Sequence, residues 1–167
     1  MPEPASGLDA SSDVFLRVEG PGGLIRGEAT TEGHTNEIDV RSWQWGVAAG
    51  SAIGSAASTA RRTYRHLVVC KGVDSASTPL VASLVNNAPL SEVKLTMRKA
   101  GGEALDYFQV VLGQARVIDV DVQVDSGGRP QERVTFSFGR ISLEYTPQQS
   151  AGAGGGATCF EDEVMRS

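Results

Sequence analysis

The sequence predicts a mainly β protein: a small antiparallel β-barrel of two packed sheets, with one short α-helix at about 78–87 and a long extended loop at about 46–59. Three observations carry that reading. Apolar residues recur at period two from Asp13 to Tyr145, the mark of strands with one buried face. Two of those runs switch the parity of their large side chains midway, which demands a bulge, and bulged strands bend enough to curl a sheet. A single segment, around Leu80–Val85, has helical instead of strand spacing.

Residues 1–12 read as a flexible N-terminus, 13–148 as one domain and 149–167 as a flexible Gly/Ala-rich tail. In "DVFLRVEG", Val14, Leu16 and Val18 share a strand face, and "GPGG" at Gly20–Gly23 is the turn that follows. "EIDVRSWQWG" begins with Ile38 and Val40 on one parity and continues with Trp43 and Trp45 on the other. A bulge near Arg41–Ser42 would bring all four to one core. From Gly46 to Thr59 the residues are small, with Gly46, Gly50 and Gly54 at four-residue spacing, and Ile53 is the only large apolar side chain from Ala48 onward. No G-K-[ST] follows, so this is not a phosphate-binding loop. The spacing matches small-xxx-small, but no long apolar segment surrounds it. A linker here would leave neither part a core. A long hairpin loop or a short Ala-rich helix remains, and long loops in compact domains are often functional.

"RTYRHLVVCK" reads as one further strand. In "DSASTPLVASLVNNAPL", Ser77 or Thr78 caps a helix, Pro79 suits its first turn, and Leu80, Leu84 and Val85 lie at helical spacing. Asn86, Asn87 and Pro89 stop it. "SEVKLTMRKAGGEALDYFQVVL" is a hairpin around Gly101–Gly102. Its return strand is apolar on both faces (Tyr107 and Val111; Phe108, Val110 and Leu112), so both faces are covered, the second by the helix or by a neighbouring subunit. A longer hairpin turns around Ser126–Pro130. Ile118, Val120, Val122 and Val124 alternate with Asp119, Asp121, Gln123 and Asp125 on the outgoing strand. On the return, Val134, Phe136 and Phe138 share one parity and Ile141, Leu143 and Tyr145 the other, which places a bulge at Gly139–Arg140. The predicted barrel core is therefore Trp43, Trp45, Val134, Phe136, Phe138, Ile141, Leu143 and Tyr145. Roughly eight strands with one helix fit a small antiparallel barrel.

The 167 residues suit one domain with a real core. A net charge of −5 argues against nucleic acid as a partner. Arg61, Arg62 and Arg65 read as a solvated or interfacial strand face. Two cysteines, Cys70 and Cys159, are no disulfide framework and fit a reducing compartment. The N-terminus has no cationic start and apolar core, so no secretory signal is expected. No stretch approaches the roughly 20 apolar residues of a membrane helix, so membrane insertion is not expected. No catalytic set emerges. His66 and Cys70, four apart on a strand, would stand roughly 13 Å apart, too far to share one zinc. Asp119, Asp121 and Asp125 interleave with valines as in a strand with a wet face, unlike a calcium loop. The sequence therefore nominates no catalytic, metal-binding or cofactor-binding residue, and no cofactor.

Several stretches together resemble the Hcp family, the hemolysin-coregulated tube proteins of the bacterial type VI secretion system. They are "EIDVRSWQWG", the Gly/Ala/Ser loop, "VDSASTPL" opening the helix, "VKLTMRKAGGE" and "ERVTFSFGRISLEYTPQ", in the expected order over about Asp13–Gln148. The resemblance implies a β-barrel with one helix, assembled as a homohexameric ring. Rings stack into a tube inside a contractile sheath and under a spike protein, and small effector proteins ride in the lumen. It implies a protein held in the bacterial cytoplasm before firing, then secreted to the extracellular space or a target cell without a signal peptide. The chain ends soon after the last expected strand, so no C-terminal toxin domain is expected. The helix opening is spaced slightly differently from the family's usual pattern, and the loop is richer in Ala.

On that reading the ring-stacking loop comprises Val47, Ala48, Ala49, Gly50, Ser51, Ala52, Ile53, Gly54, Ser55, Ala56 and Ala57, ordering on the ring above or below. Tyr107, Phe108, Val110 and Val111 become a face for the neighbouring subunit. The alternatives are a tail-tube subunit of another contractile or phage-like particle, and a monomeric β-barrel that binds a small ligand.

Overall fold

The computed structural model describes residues 11–50, 61–100, 105–147 and 156–164. Its strands are β1 (Ser12–Gly20), β2 (Gly23–Ile25), β3 (Ile38–Gln44), β4 (Val47–Gly50), β5 (Arg61–Tyr64), β6 (Leu67–Lys71), β7 (Glu92–Lys99), β8 (Asp106–Gly113), β9 (Arg116–Val124), β10 (Pro130–Ser137), β11 (Arg140–Tyr145) and β12 (Thr158–Glu163). One helix, α1 (Ser77–Val85), lies between β6 and β7. Ten strands form one antiparallel sheet in the order β12-β11-β8-β7-β1-β3-β6-β10-β9, with β2 added to β1. Strands β4 and β5 pair only with each other.

The chain itself curls the sheet. β8 passes into β9 through Gln114–Ala115, and β10 into β11 through Phe138–Gly139. Strands β8 and β11 pair with each other, as do β9 and β10, so Asp106–Tyr145 is one long hairpin bent at its middle. At the corner Gln114 adopts φ 51°, and the Gly139 amide donates to the Gly113 carbonyl at 3.1 Å. A Cβ on Gly139 would stand 2.4 Å from Gln114 Oε1, so this corner requires glycine there or a displaced Gln114. The bend folds one half of the sheet over the other around a single core. Val110, Leu112 and Ile141 from one half meet Val117, Val134 and Phe136 from the other, with Leu16, Val18, Ile38, Leu67, Val69, Val93, Leu95 and Leu80 between them. The mainly antiparallel fold with one short helix is as the sequence predicts. The strand order does not close on itself, and β12 and β9 remain its free edges.

Both expected irregularities are present. The β3–β6 register steps between Val40 and Ser42, and Trp43 and Trp45 then pack against the same core as Ile38 and Val40. At the second, in place of the expected bulge at Gly139–Arg140, the strand breaks at Phe138–Gly139 and turns the corner from β10 into β11.

Of the predicted barrel core, Val134, Phe136 and Ile141 are fully buried, and Trp43, Trp45, Phe138 and Leu143 are partly buried against it. Tyr145 is 45% exposed, because it ends β11 at the rim. The valine row of β9 is also more open than its alternation suggests. The pairing with β10 slips at Thr135–Phe136, so Val117 turns inward and Ile118 outward. Beyond that slip β9 is a free edge running past the core, and Val124 is 67% exposed.

Three segments correct the sequence reading. "RTYRHLVVCK" is two strands, β5 and β6, which belong to different sheets and are separated by Arg65 and His66. His66 therefore shares no strand with Cys70. The helix starts at Ser77 and ends at Val85, earlier than 78–87. Leu80 and Ser83 are its buried residues and Leu84 packs partly against the core, whereas Val85, rotated off that stripe, is 73% exposed. The stop is as expected: the Asn86 and Asn87 amides bond back to Ala82 and Leu84, and Asn87 takes φ 48° before Pro89. Finally, the tail read as flexible carries β12, which pairs with the whole of β11. At the other terminus β1 begins at Ser12, and residues 1–10 lie outside the described residues.

Candidate functional site: a ribbon apart from the sheet

The small-residue run opens as a strand. Val47–Gly50 pair with Arg61–Tyr64 in the register Val47–Tyr64, Ala48–Thr63, Ala49–Arg62, Gly50–Arg61. Small side chains suffice here because the backbone ladder makes the pairing, while Arg, Thr and Tyr on β5 supply strand-compatible bulk. The Arg65 amide adds a further rung to the Gly46 carbonyl at 2.8 Å. Glycine at position 46 leaves room for the Arg65 guanidinium, which would stand 2.1 Å from a Cβ there. Every residue of β4 is exposed, and so are all of β5 except Tyr64. The expected loop is thus a two-stranded ribbon over Val47–Gly50, which excludes the Ala-rich helix at those positions. Ser51, Ala52, Ile53, Gly54, Ser55, Ala56 and Ala57 lie outside the described residues.

At its base the ribbon meets an aromatic row and a carboxylate. Trp45 stacks on Tyr64 (centroids 6.1 Å apart, planes 25°), and Tyr64 meets Phe138 edge-on at 6.1 Å. Asp162, on β12, takes hydrogen bonds from Arg62 Nε at 2.6 Å, from Arg62 Nη2 at 3.0 Å and from the Tyr64 hydroxyl. The Tyr64 hydrogen bond, ahead of the Arg62 pair, holds the Asp162 carboxyl below its ordinary range. Burial and then the Asp162 contact push the Tyr64 hydroxyl up.

Two other polar knots hold the fold around this site. Lys71 and Glu132 face each other across β6 and β10, both inside the sheet and fully buried. Lys71 Nζ donates to Glu132 Oε2 at 3.1 Å, Asp74 Oδ1 at 2.9 Å and Ser77 Oγ at 3.2 Å, and Ser77 Oγ donates to Glu132 Oε2 at 2.6 Å. Asp74 Oδ1 also accepts the Ala76 amide at 2.9 Å, so this knot fixes the start of α1 where no side chain caps the helix directly. Glu132 Oε1 is buried without a partner among the described residues.

The third knot is His34. It stacks flat on Phe15 at 4.3 Å, with Nδ1 2.8 Å from Glu37 and Nε2 3.0 Å from Asp106. Arg98 Nε donates to Asp106 at 2.9 Å and Arg98 Nη1 to the Glu32 carbonyl, tying the β2–β3 loop to the β7–β8 hairpin.

The predicted subunit face divides by strand alternation. Val110 is fully buried in the chain's own core, and Phe108 stacks on Trp43 at 6.3 Å. Val110 cannot contact a neighbour, because Phe108, Val110 and Leu112 point inward. Val111 lies on the outer face, partly buried, whereas Tyr107 is the extra residue where the β7–β8 register steps, and its hydroxyl meets Ser12 Oγ. Sequence reasoning missed Asp162, Lys71 and Glu132. Among the described residues no group of three His, Cys, Asp or Glu side chains could hold a metal ion. Two surface pockets flank these elements. One, about 540 Å³, lies beside the ribbon base at Trp45, Arg65 and His66. The other, about 490 Å³, lies between α1 and the β1–β2 turn.

A family model described as "Type VI secretion system effector, Hcp" matches residues 15–145. Protein hcp1 of Pseudomonas aeruginosa is 30% identical over 146 residues, covering 84% of this chain and 87% of that protein. Among solved structures, Hcp1 from Salmonella typhimurium is 27% identical with a TM-score of 0.73, over 92% of this chain and 94% of its own. A type VI secretion system effector from Yersinia pestis is 25% identical with a TM-score of 0.74, over 91% of this chain and 100% of its own.

Proposed function

The chain belongs to the Hcp family of type VI secretion tube proteins, and on that premise we propose that it assembles as a homohexameric ring whose copies stack through the β4–β5 ribbon into the inner tube. The carrying observation is the ribbon itself. It is largely exposed, and among the described residues its backbone pairs with no other strand, which leaves both outer edges of a two-stranded unit open. Such a ribbon is marginal alone in water and gains most by meeting a partner. Stacking on an adjacent ring supplies that partner. Ring formation in turn covers the free edges at β9 and β12. The role is structural: the tube is expelled from the cytoplasm by sheath contraction beneath a spike protein and carries small effectors in its lumen.

Native mass spectrometry of the purified chain tests the ring. A sixfold assembly is expected, and a monomer overturns the reading in favour of a ligand-binding barrel. Deleting Val47–Ala57 then tests the ribbon: hexamers persist, whereas tubes and secretion are lost. Normal tubes from the deletion variant would sink the stacking role.

A further inference from the structure

The pose of the ribbon is set from the far end of the chain. Arg62 and Tyr64 are two residues apart on β5 and so share one face of it. Both of their polar groups converge on Asp162 (Arg62 Nε and Nη2 at 2.6 and 3.0 Å, with the Tyr64 hydroxyl on Oδ2). Asp162 is the only residue of β12 that is not exposed, and it pairs across the ladder with the buried Ile141 of β11. Its backbone is therefore held by the main sheet, while its side chain holds the ribbon. The opposite face of the ribbon, with Arg61 and Thr63 across from Gly50 and Ala48, is left outward.

We propose that Asp162 is a positioning residue for ring stacking: by clamping the Arg62–Tyr64 face it fixes which side of the ribbon meets a second copy of this chain. A bidentate guanidinium–carboxylate pair adds geometric specificity beyond its energy, which is what selecting one face of a thin ribbon requires. Without the clamp, what joins the ribbon to the main sheet among the described residues is its two chain connections and the Trp45–Tyr64–Phe138 contacts. It then samples other directions before docking, and stacking must overcome that lost order. This inference rests on the ribbon being the stacking element.

The test uses the full chain as Asp162→Ala, Asp162→Asn and the exchanged pair Arg62→Asp with Asp162→Arg. Three quantities are read for each: hexamer mass, amide hydrogen exchange of Val47–Gly50 and Arg61–Tyr64, and ring stacking by sedimentation and electron microscopy. The Ala variant keeps hexamers, exchanges the ribbon amides about tenfold faster and loses stacking. The isosteric Asn variant, which keeps one acceptor oxygen and guards against misfolding, falls between it and the parent. The exchanged pair recovers both protection and stacking. Unchanged ribbon exchange in the Ala variant overturns the proposal. So does faster exchange with intact stacking, if the Val47–Ala57 deletion abolishes stacking. If that deletion stacks normally, it is the ribbon reading that fails, and the clamp's role in stacking goes with it.

Discussion

Two elements lie off the main sheet, helix α1 and the β4–β5 ribbon, and each is tied to it by a cation and a carboxylate. The ties differ in burial. Lys71 and Glu132 are fully inside, with Asp74 and Ser77 completing the knot. Arg62 and Asp162 sit at the surface, with Arg62 half exposed. A buried pair cannot be opened without stranding a charge away from water, so it makes the helix a permanent part of the barrel. A surface pair is continually offered water and salt as substitutes, so it orients without committing. The proposed role calls for both: a core that survives expulsion, and a contact element that docks and releases.

Breaking the buried tie has the largest expected effect. Lys71→Met leaves the buried Glu132 carboxylate without its cation and with only the Ser77 hydroxyl beside it, at a cost of about 3–5 kcal/mol in unfolding free energy. Replacing both partners, as Lys71→Met with Glu132→Leu, removes the stranded charge and recovers most of that loss. Denaturant titration of the three proteins decides it. A double variant as unstable as the single would mean that the knot's role lies in shaping the α1 start and not in charge balance.

The His34 clip is intermediate, since Asp106 is partly exposed. Burial alone would raise the Asp106 carboxyl, but hydrogen bonds from His34 and then Arg98 outweigh it and hold it below the ordinary range. A carboxyl lowered in the folded state contributes stability that is present above its unfolded value of about 3.9 and lost as pH falls through the folded one. Acid unfolding of the parent should therefore steepen below about pH 4. Asp106→Asn should be less stable at neutral pH and flatter in that window, by thermal melts across pH. An unchanged acid slope would remove Asp106 from the account.

The same contrast marks what was legible in the sequence. Period-two runs and parity switches located the main-sheet strands and both irregularities, because burial on one face imposes a local pattern. Lys71 was also within reach. It shares parity with Leu67 and Val69, as Glu132 does with Val134 and Phe136, so opposite charges stand on two inward faces. Pairing them required knowing that β6 neighbours β10, which no local pattern supplies. β12 was hidden for another reason. "TCFEDE" pairs on one side only and buries almost nothing, so it lacks the apolar alternation of a core strand and followed a Gly-rich run that reads as tail. Strand β4 was misread as loop on the same ground, since side chains that bury nothing leave no periodic trace of a backbone ladder.

The smallest expected effect is on the surface tie, and it sharpens the comparison most. Arg62→Ala should leave the denaturant midpoint unchanged, because neither Arg62 nor Asp162 belongs to the core. Local exchange tells the two ties apart. Raising salt from low to molar concentration shrinks the screening length from tens of ångströms to about 3 Å and weakens exposed ion pairs far more than buried ones. Hydrogen exchange at Arg61–Tyr64 should therefore quicken with salt in the parent and be salt-independent in Arg62→Ala, while the amides of α1 respond in neither. If the ribbon amides ignored salt in the parent, the Trp45–Tyr64–Phe138 row, and not the Arg62–Asp162 pair, would be what holds the ribbon. The contrast between the two ties would then be one of apolar packing against charge.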